Sequence, residues 1–120
     1  MTINENSPSP IYVQVAELIE DLILKGDIKR EDQAYSTNEL SRIYNINPAT
    51  ARKGLNILID QGILYKKRGL GMFVSSNAKE IIQNKKKNNF YEDFVLAMLK
   101  EAEKIGITRD EVIELIKNKR

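Results

Sequence analysis

At 120 residues, 42% apolar, 30% charged and formal net charge +2, the chain has the make-up of a soluble folded domain with a short appendage, leaving no room for a dedicated effector-binding domain. Cysteine and histidine are absent, which removes disulfides, thiolate nucleophiles, imidazole bases and Cys/His metal sites, so no enzyme, metal or cofactor is expected. No apolar run reaches the roughly 18 residues that span a bilayer, and the polar start lacks a basic-then-apolar leader, so a cytoplasmic protein with no membrane partner is expected.

Ser9-Pro10 has the form of a helix opening, with serine as N-cap and proline at the first helical position. Ile11, Val15, Leu18, Ile19, Leu22 and Ile23 then recur at helical spacing up to Gly26, a C-terminal stop. Residues 27–35 show no clear period and read as a loop, with a short extended piece around Ala34 and Tyr35. Ser36-Thr37-Asn38-Glu39 has the capping-box form and opens a short second helix carrying Leu40, Ile43 and Tyr44. Asn47-Pro48 caps a third helix directly afterwards, and two helices joined by so short a turn make a helix-turn-helix.

On the third helix Ala51, Leu55 and Leu58 share one face, with Ile59 at its edge. Ala49, Lys53 and Asn56 point away from it, flanked by Thr50 and Arg52. An outward face of this kind suits the major groove, where Arg and Lys bond guanine, Asn pairs with adenine and Thr reaches a phosphate or a thymine methyl. After Gln61-Gly62 the pattern turns extended: Ile63-Leu64-Tyr65, then Lys66-Lys67-Arg68, Gly69-Leu70-Gly71 and Met72-Phe73-Val74. This is a hairpin with a basic, glycine-bearing tip, and a hairpin directly after a recognition helix is a wing.

The tail starts polar and includes Lys85-Lys86-Lys87, yet no proline or glycine interrupts it, so a long helix from about Ala78 is expected. Phe90, Phe94, Val95, Met98, Ala102 and Ile105 give it an apolar stripe that stops at Gly106. Thr108-Arg109-Asp110-Glu111 is another capping box, opening a last helix with Val112, Ile113 and Ile116 inward. Two such helices bury little against each other. Their apolar faces need a partner, either the winged domain of the same chain or the equivalent tail of a second chain.

Charge is unevenly spread. Glu17, Glu20, Asp21, Asp27, Glu31 and Asp32 make the first part acidic, whereas from Arg42 to Val74 the cations Arg42, Arg52, Lys53, Lys66, Lys67 and Arg68 face only Asp60. A basic middle third on a helix-turn-helix and its wing is a phosphate-backbone footprint. Carboxylates elsewhere fall at helix-surface spacings among lysines, where they serve as solvated pairs.

The run Pro10-Ile11-Tyr12-Val13-Gln14-Val15, the segment Asn47-Pro48-Ala49-Thr50-Ala51-Arg52-Lys53, and Gln61-Gly62-Ile63-Leu64-Tyr65 through Arg68-Gly69-Leu70-Gly71-Met72-Phe73-Val74 together resemble the GntR family of bacterial transcription regulators over about residues 8 to 75. The short two-helix tail is similar to that of the YtrA-type subfamily, which implies a dimeric repressor. Departures are Tyr35 for a usual proline, Asn38 for a usual DNA-contacting arginine, Met72 for a usual wing threonine, and Gly54 for a usual alanine. Glycine at that helical position costs about 1 kcal/mol in propensity.

The expected fold is mainly α: a winged helix-turn-helix of three helices plus a two-stranded wing over residues 1–76, then a helical dimerisation tail over 77–120. The expected function is sequence-specific transcription regulation, as a repressor, by a homodimer on a palindromic operator in double-stranded DNA. The DNA contacts expected are Ser36, Thr37, Asn38, Asn47, Ala49, Thr50, Arg52, Lys53, Asn56, Lys67, Arg68, Gly69 and Gly71, with the tail residues above forming the dimer. A second reading is a winged-helix interaction module whose basic hairpin meets an acidic protein without specific DNA binding.

Overall fold

The computed structural model describes residues 3–119. Its elements run α1 (Ile11–Lys25), α2 (Thr37–Tyr44), α3 (Pro48–Asp60), β1 (Leu64–Lys67), β2 (Gly71–Val74), α4 (Ala78–Phe90), a π segment (Tyr91–Leu96), α5 (Ala97–Lys104) and α6 (Arg109–Lys117). This is the mainly α winged helix-turn-helix with a helical tail that the periodicities predict. The chain divides into two units, one ending at Gln83 and the other starting at Asn84.

The start of α1 differs from expectation. Pro10, not Ser9, is the N-cap, and no side chain caps the helix. Ser9 is otherwise engaged: its amide donates to Ser7 Oγ at 3.1 Å and its carbonyl accepts from Gln14 Nε2 at 2.9 Å. The Gln14 amide, 6% exposed, also donates to the Asn4 carbonyl at 2.8 Å and accepts from the Asn4 amide at 2.7 Å. One buried glutamine with its polar atoms satisfied thus ties the segment before α1 onto the helix. At the other end Gly26, at φ 86°, closes α1 in the left-handed conformation.

In the first unit Val15, Ile19 and Ile23 of α1 pack with Leu40 of α2 and with Ala51, Leu55 and Leu58 of α3. Ile63, Leu64, Val74, Ala78 and Ile82 complete this core, so the first turns of α4 are part of it. Helix α1 crosses α3 at Gly54, which is buried.

Both halves of the α2 capping box form: the Glu39 amide donates to Ser36 Oγ at 3.1 Å and the Ser36 amide to Glu39 Oε1 at 2.9 Å. Asn45, at φ 53°, ends α2. Asn47 Oδ1 then accepts from the Ala49 amide at 2.8 Å, with Pro48 in the first turn of α3. Caps on both sides of the turn fix the helix-turn-helix from local sequence alone.

The wing pairs antiparallel, with Leu64 opposite Val74, Tyr65 opposite Phe73, Lys66 opposite Met72 and Lys67 opposite Gly71. The extended piece expected near Ala34 lies along the other edge of β2. There the Glu31 amide donates to the Val74 carbonyl at 2.8 Å, Val74 to Asp32 at 2.9 Å and Ala34 to Met72 at 2.8 Å. The loop after α1 therefore covers an edge that would otherwise be open.

In the second unit Thr108 and Glu111 form the expected capping box, and Gly106 at φ 78° separates α5 from α6. Ala102 and Val112, each 7% exposed, are buried within the chain. The expectation that Ile113 and Ile116 point inward fails within one chain: they are 46% and 63% exposed. Helices this short cover little more than the Ala102 and Val112 positions. Phe90, Tyr91, Phe94, Met98, Ile105 and Leu115 are exposed as well.

Candidate nucleic-acid interface

The apolar face of α3 closes the core through Ala51, Leu55 and Leu58, which turns Ala49, Arg52, Lys53 and Asn56 out to solvent with Thr50 half-buried beside them. Lys53 is held in place. Its Nζ lies 4.0 Å from the ring centroid of Tyr12 on α1, a cation–π contact that orients the ammonium on the outer face. On α2, Asn38 is exposed and Thr37 half-buried. Ser36 Oγ and Asn47 Oδ1 serve as caps, so these two residues act on the interface by fixing where α2 and α3 begin.

Capping has an electrostatic consequence. The Glu39 carboxyl is held below its ordinary 4.5, chiefly because it accepts the Ser36 amide, then by the Ser36 hydroxyl and the nearby Arg42 charge. A carboxylate at the first turn of α2 is also favoured by the helix dipole.

At the wing, Lys67, Arg68, Gly69 and Gly71 are all exposed. Gly69 at φ 78° and Gly71 at φ 117° supply the left-handed backbone that a tight basic tip requires. Lys67 Nζ sits 4.3 Å from the Phe73 ring centroid and 5.8 Å from that of Tyr65, whose rings lie 6.2 Å apart. Tyr65 donates its hydroxyl to the Glu31 carboxylate. That bond, ahead of burial, raises the phenol above its ordinary value. Gln33 reaches the tip as well, its Nε2 donating to the Leu70 carbonyl at 2.8 Å.

The residues so assembled offer charged and amide donors on a protruding helix and hairpin, the equipment for phosphates and base edges. Among the described residues no group of three or more acidic side chains is placed to hold a metal ion, and no helix is long and apolar enough to cross a membrane. Tyr12 and Gln33 escaped the sequence reading because both join the interface through long-range packing, with no local pattern to mark them. In the second unit Met98, Ala102, Ile105, Ile107, Leu115 and Ile116 line an apolar groove of about 490 Å³.

Residues 11–74 match the family described as bacterial regulatory proteins, gntR family. The HTH-type transcriptional repressor YtrA of Bacillus subtilis (strain 168) is 32% identical over 115 residues, covering 96% of this chain and 88% of its own. The HTH-type transcriptional repressor NagR of the same organism is 35% identical over 80 residues, 67% of this chain. That match is only 33% of NagR, so this chain spans about a third of its length. A GntR family transcriptional regulator from Listeria monocytogenes superposes with a TM-score of 0.76 at 26% identity, over 96% of this chain and 99% of that one. The crystallised AraR DNA-binding domain in complex with operator ORX1 superposes with a TM-score of 0.56 at 32% identity, over 62% and 93%.

Proposed function

The chain belongs to the GntR family of bacterial regulatory proteins, with the short layout of its YtrA-like members, and from that premise we propose that it is a homodimeric repressor of a palindromic operator. DNA-binding regulation follows from the family; the dimer, the operator symmetry and the residue roles are our reading. The observation that carries it is the outer face of α3, where Arg52, Lys53 and Asn56 are exposed while the opposite face closes the core.

Arg52 and Asn56 read base edges in the major groove, and Lys53, oriented by Tyr12, grips beside them. Thr50, Ala49 and Asn38 line the same approach, with Ser36, Thr37 and Asn47 at the helix starts. Lys67 and Arg68 meet the flanking backbone, which the open side of Gly69 lets come close, while Gly71 contributes the positive φ of the tip. The AraR domain bound to its operator supports this assignment by likeness of fold. In this reading residues 1–76 contact DNA and the tail from 77 to 120 assembles the dimer in the cytoplasm, apart from Ala78 and Ile82, which belong to the winged-domain core.

The tail supports a homodimer. Phe94, Met98, Ile105 and Ile116 expose apolar surface that water penalises and that an identical tail would cover. Two linked winged domains then bind two half-sites with the gain of effective concentration. Selection of genomic fragments by the purified full chain tests the proposal. One recovered inverted repeat near a promoter is the expected outcome, and recovery of unrelated fragments with no shared site would refute it.

A further inference from the structure

The wing tip is the least supported part of the hairpin by local structure. Pairing between β1 and β2 ends at Lys67 and Gly71, and the turn beyond is closed by the Leu70 amide donating to the Lys67 carbonyl at 2.9 Å. Two of its residues are left-handed glycines, and a Cβ placed on Gly69 would meet nothing within 4 Å. A hairpin end of this composition is free to sample many conformations.

Gln33 enters this tip from outside the hairpin. Its backbone is bridged to Phe73, which places the side chain beside the turn, and its Nε2 donates to the Leu70 carbonyl at 2.8 Å. The same nitrogen stands 2.8 Å from where a Cβ on Gly71 would be. Glycine at 71 therefore answers two demands, a positive φ and a seat for the amide. Gln33 also lies in the short segment that leads into Ser36, the N-cap of α2. A single side chain thus ties the wing tip to the start of the helix-turn-helix.

We propose that Gln33 is a positioning residue, a latch that fixes the wing tip relative to α2 and α3 and so sets how the tip meets DNA flanking the half-site. This rests on the DNA-binding reading above. An ordered tip has less freedom to lose on binding, so the latch acts by preorganisation. Glutamine suits the place: preceded by Glu31 and Asp32, it supplies a donor without adding a third negative charge near a phosphate backbone.

The test uses the full chain and DNA selected on the wild type, with Gln33→Ala and Gln33→Glu. For Gln33→Ala we expect a loss of about three- to tenfold in affinity, the scale of one hydrogen bond, with the thermal midpoint unchanged. The loss should vanish on the same DNA carrying uncharged methylphosphonates in the flanks. Gln33→Glu should lose more. In the free protein, heteronuclear NOE values of the Gly69, Leu70 and Gly71 amides should fall in both variants. If those values and the flank-dependent affinity stay at wild-type level while Arg68→Ala weakens binding, the latch is wrong and the wing reading stands. If the wild type selects no site, the DNA-binding reading fails first and takes the latch's function with it.

Discussion

A Cβ on Gly54 would stand 2.7 Å from the carbonyl oxygen of Tyr12 and 2.8 Å from Cβ of Val15, closer than packed atoms tolerate. The glycine is what lets α1 lie directly against α3. A position that costs the isolated helix about 1 kcal/mol is therefore where the two largest helices of the winged domain meet, and where Tyr12 comes within reach of Lys53.

Gly54→Ala should accordingly destabilise the protein although alanine is the better helix former. The clash is with main chain as well as with Val15, so the crossing must widen, at a cost of about 1–3 kcal/mol that outweighs the propensity gain. A urea midpoint lower than wild type is expected. A higher midpoint would mean that the crossing relaxes freely.

Replacing Arg52 and Lys53 together with alanine should abolish the DNA shift while leaving the fold intact. A base contact is worth about 1–3 kcal/mol, so losing two should cost about one and a half to four decades of affinity. Unfolding should shift by only about 0.5–1 kcal/mol, from loss of the Lys53–Tyr12 contact. Retained binding would remove α3 from the interface.

The α2 capping box should show itself in acid. Glu39 has a lowered folded-state pKa, so protons favour the unfolded chain. Its stabilisation is fully present above the ordinary carboxylate value and is lost as pH falls through that value to the lowered one. Glu39→Gln should thus be less stable than wild type at neutral pH and converge with it in acid. A gap of constant size from neutral pH to pH 3, read by urea unfolding, would contradict this.

Charging the tail should separate assembly from folding. Phe94→Asp with Ile116→Asp places charges at positions 65% and 63% exposed in one chain, so the subunit should still fold. Sedimentation should shift from dimer to monomer, and affinity for an inverted repeat should drop about a hundredfold while a single half-site binds as before. A variant that stays dimeric would move the interface elsewhere.

The architecture was legible wherever local chemistry decides it. Ser36 with Glu39, Asn47 with Pro48, and Thr108 with Glu111 each announce a helix start, and all three form as read. Ser9 misled because α1 begins one residue later than read, with Pro10 as its N-cap and the Ser9 carbonyl accepting from the Gln14 side chain. The outer face of α3 could be read because its apolar partners repeat at helical spacing. The Tyr12 and Gln33 contacts could not, since neither helix crossing nor edge pairing leaves a mark in the neighbouring residues. Ile113 and Ile116 follow a helical pattern, but a pattern marks an apolar face without saying what covers it.

The most direct test of the account is footprinting of the selected DNA by the wild-type chain at two salt concentrations. Two protected half-sites related by a dyad are expected, with affinity falling steeply with salt by a log–log slope of about 0.9 per neutralised phosphate. Arg68→Ala should flatten that slope by about one contact. Uniform protection without a dyad, or binding indifferent to salt, would contradict a dimer that reads its operator through α3 and the wing.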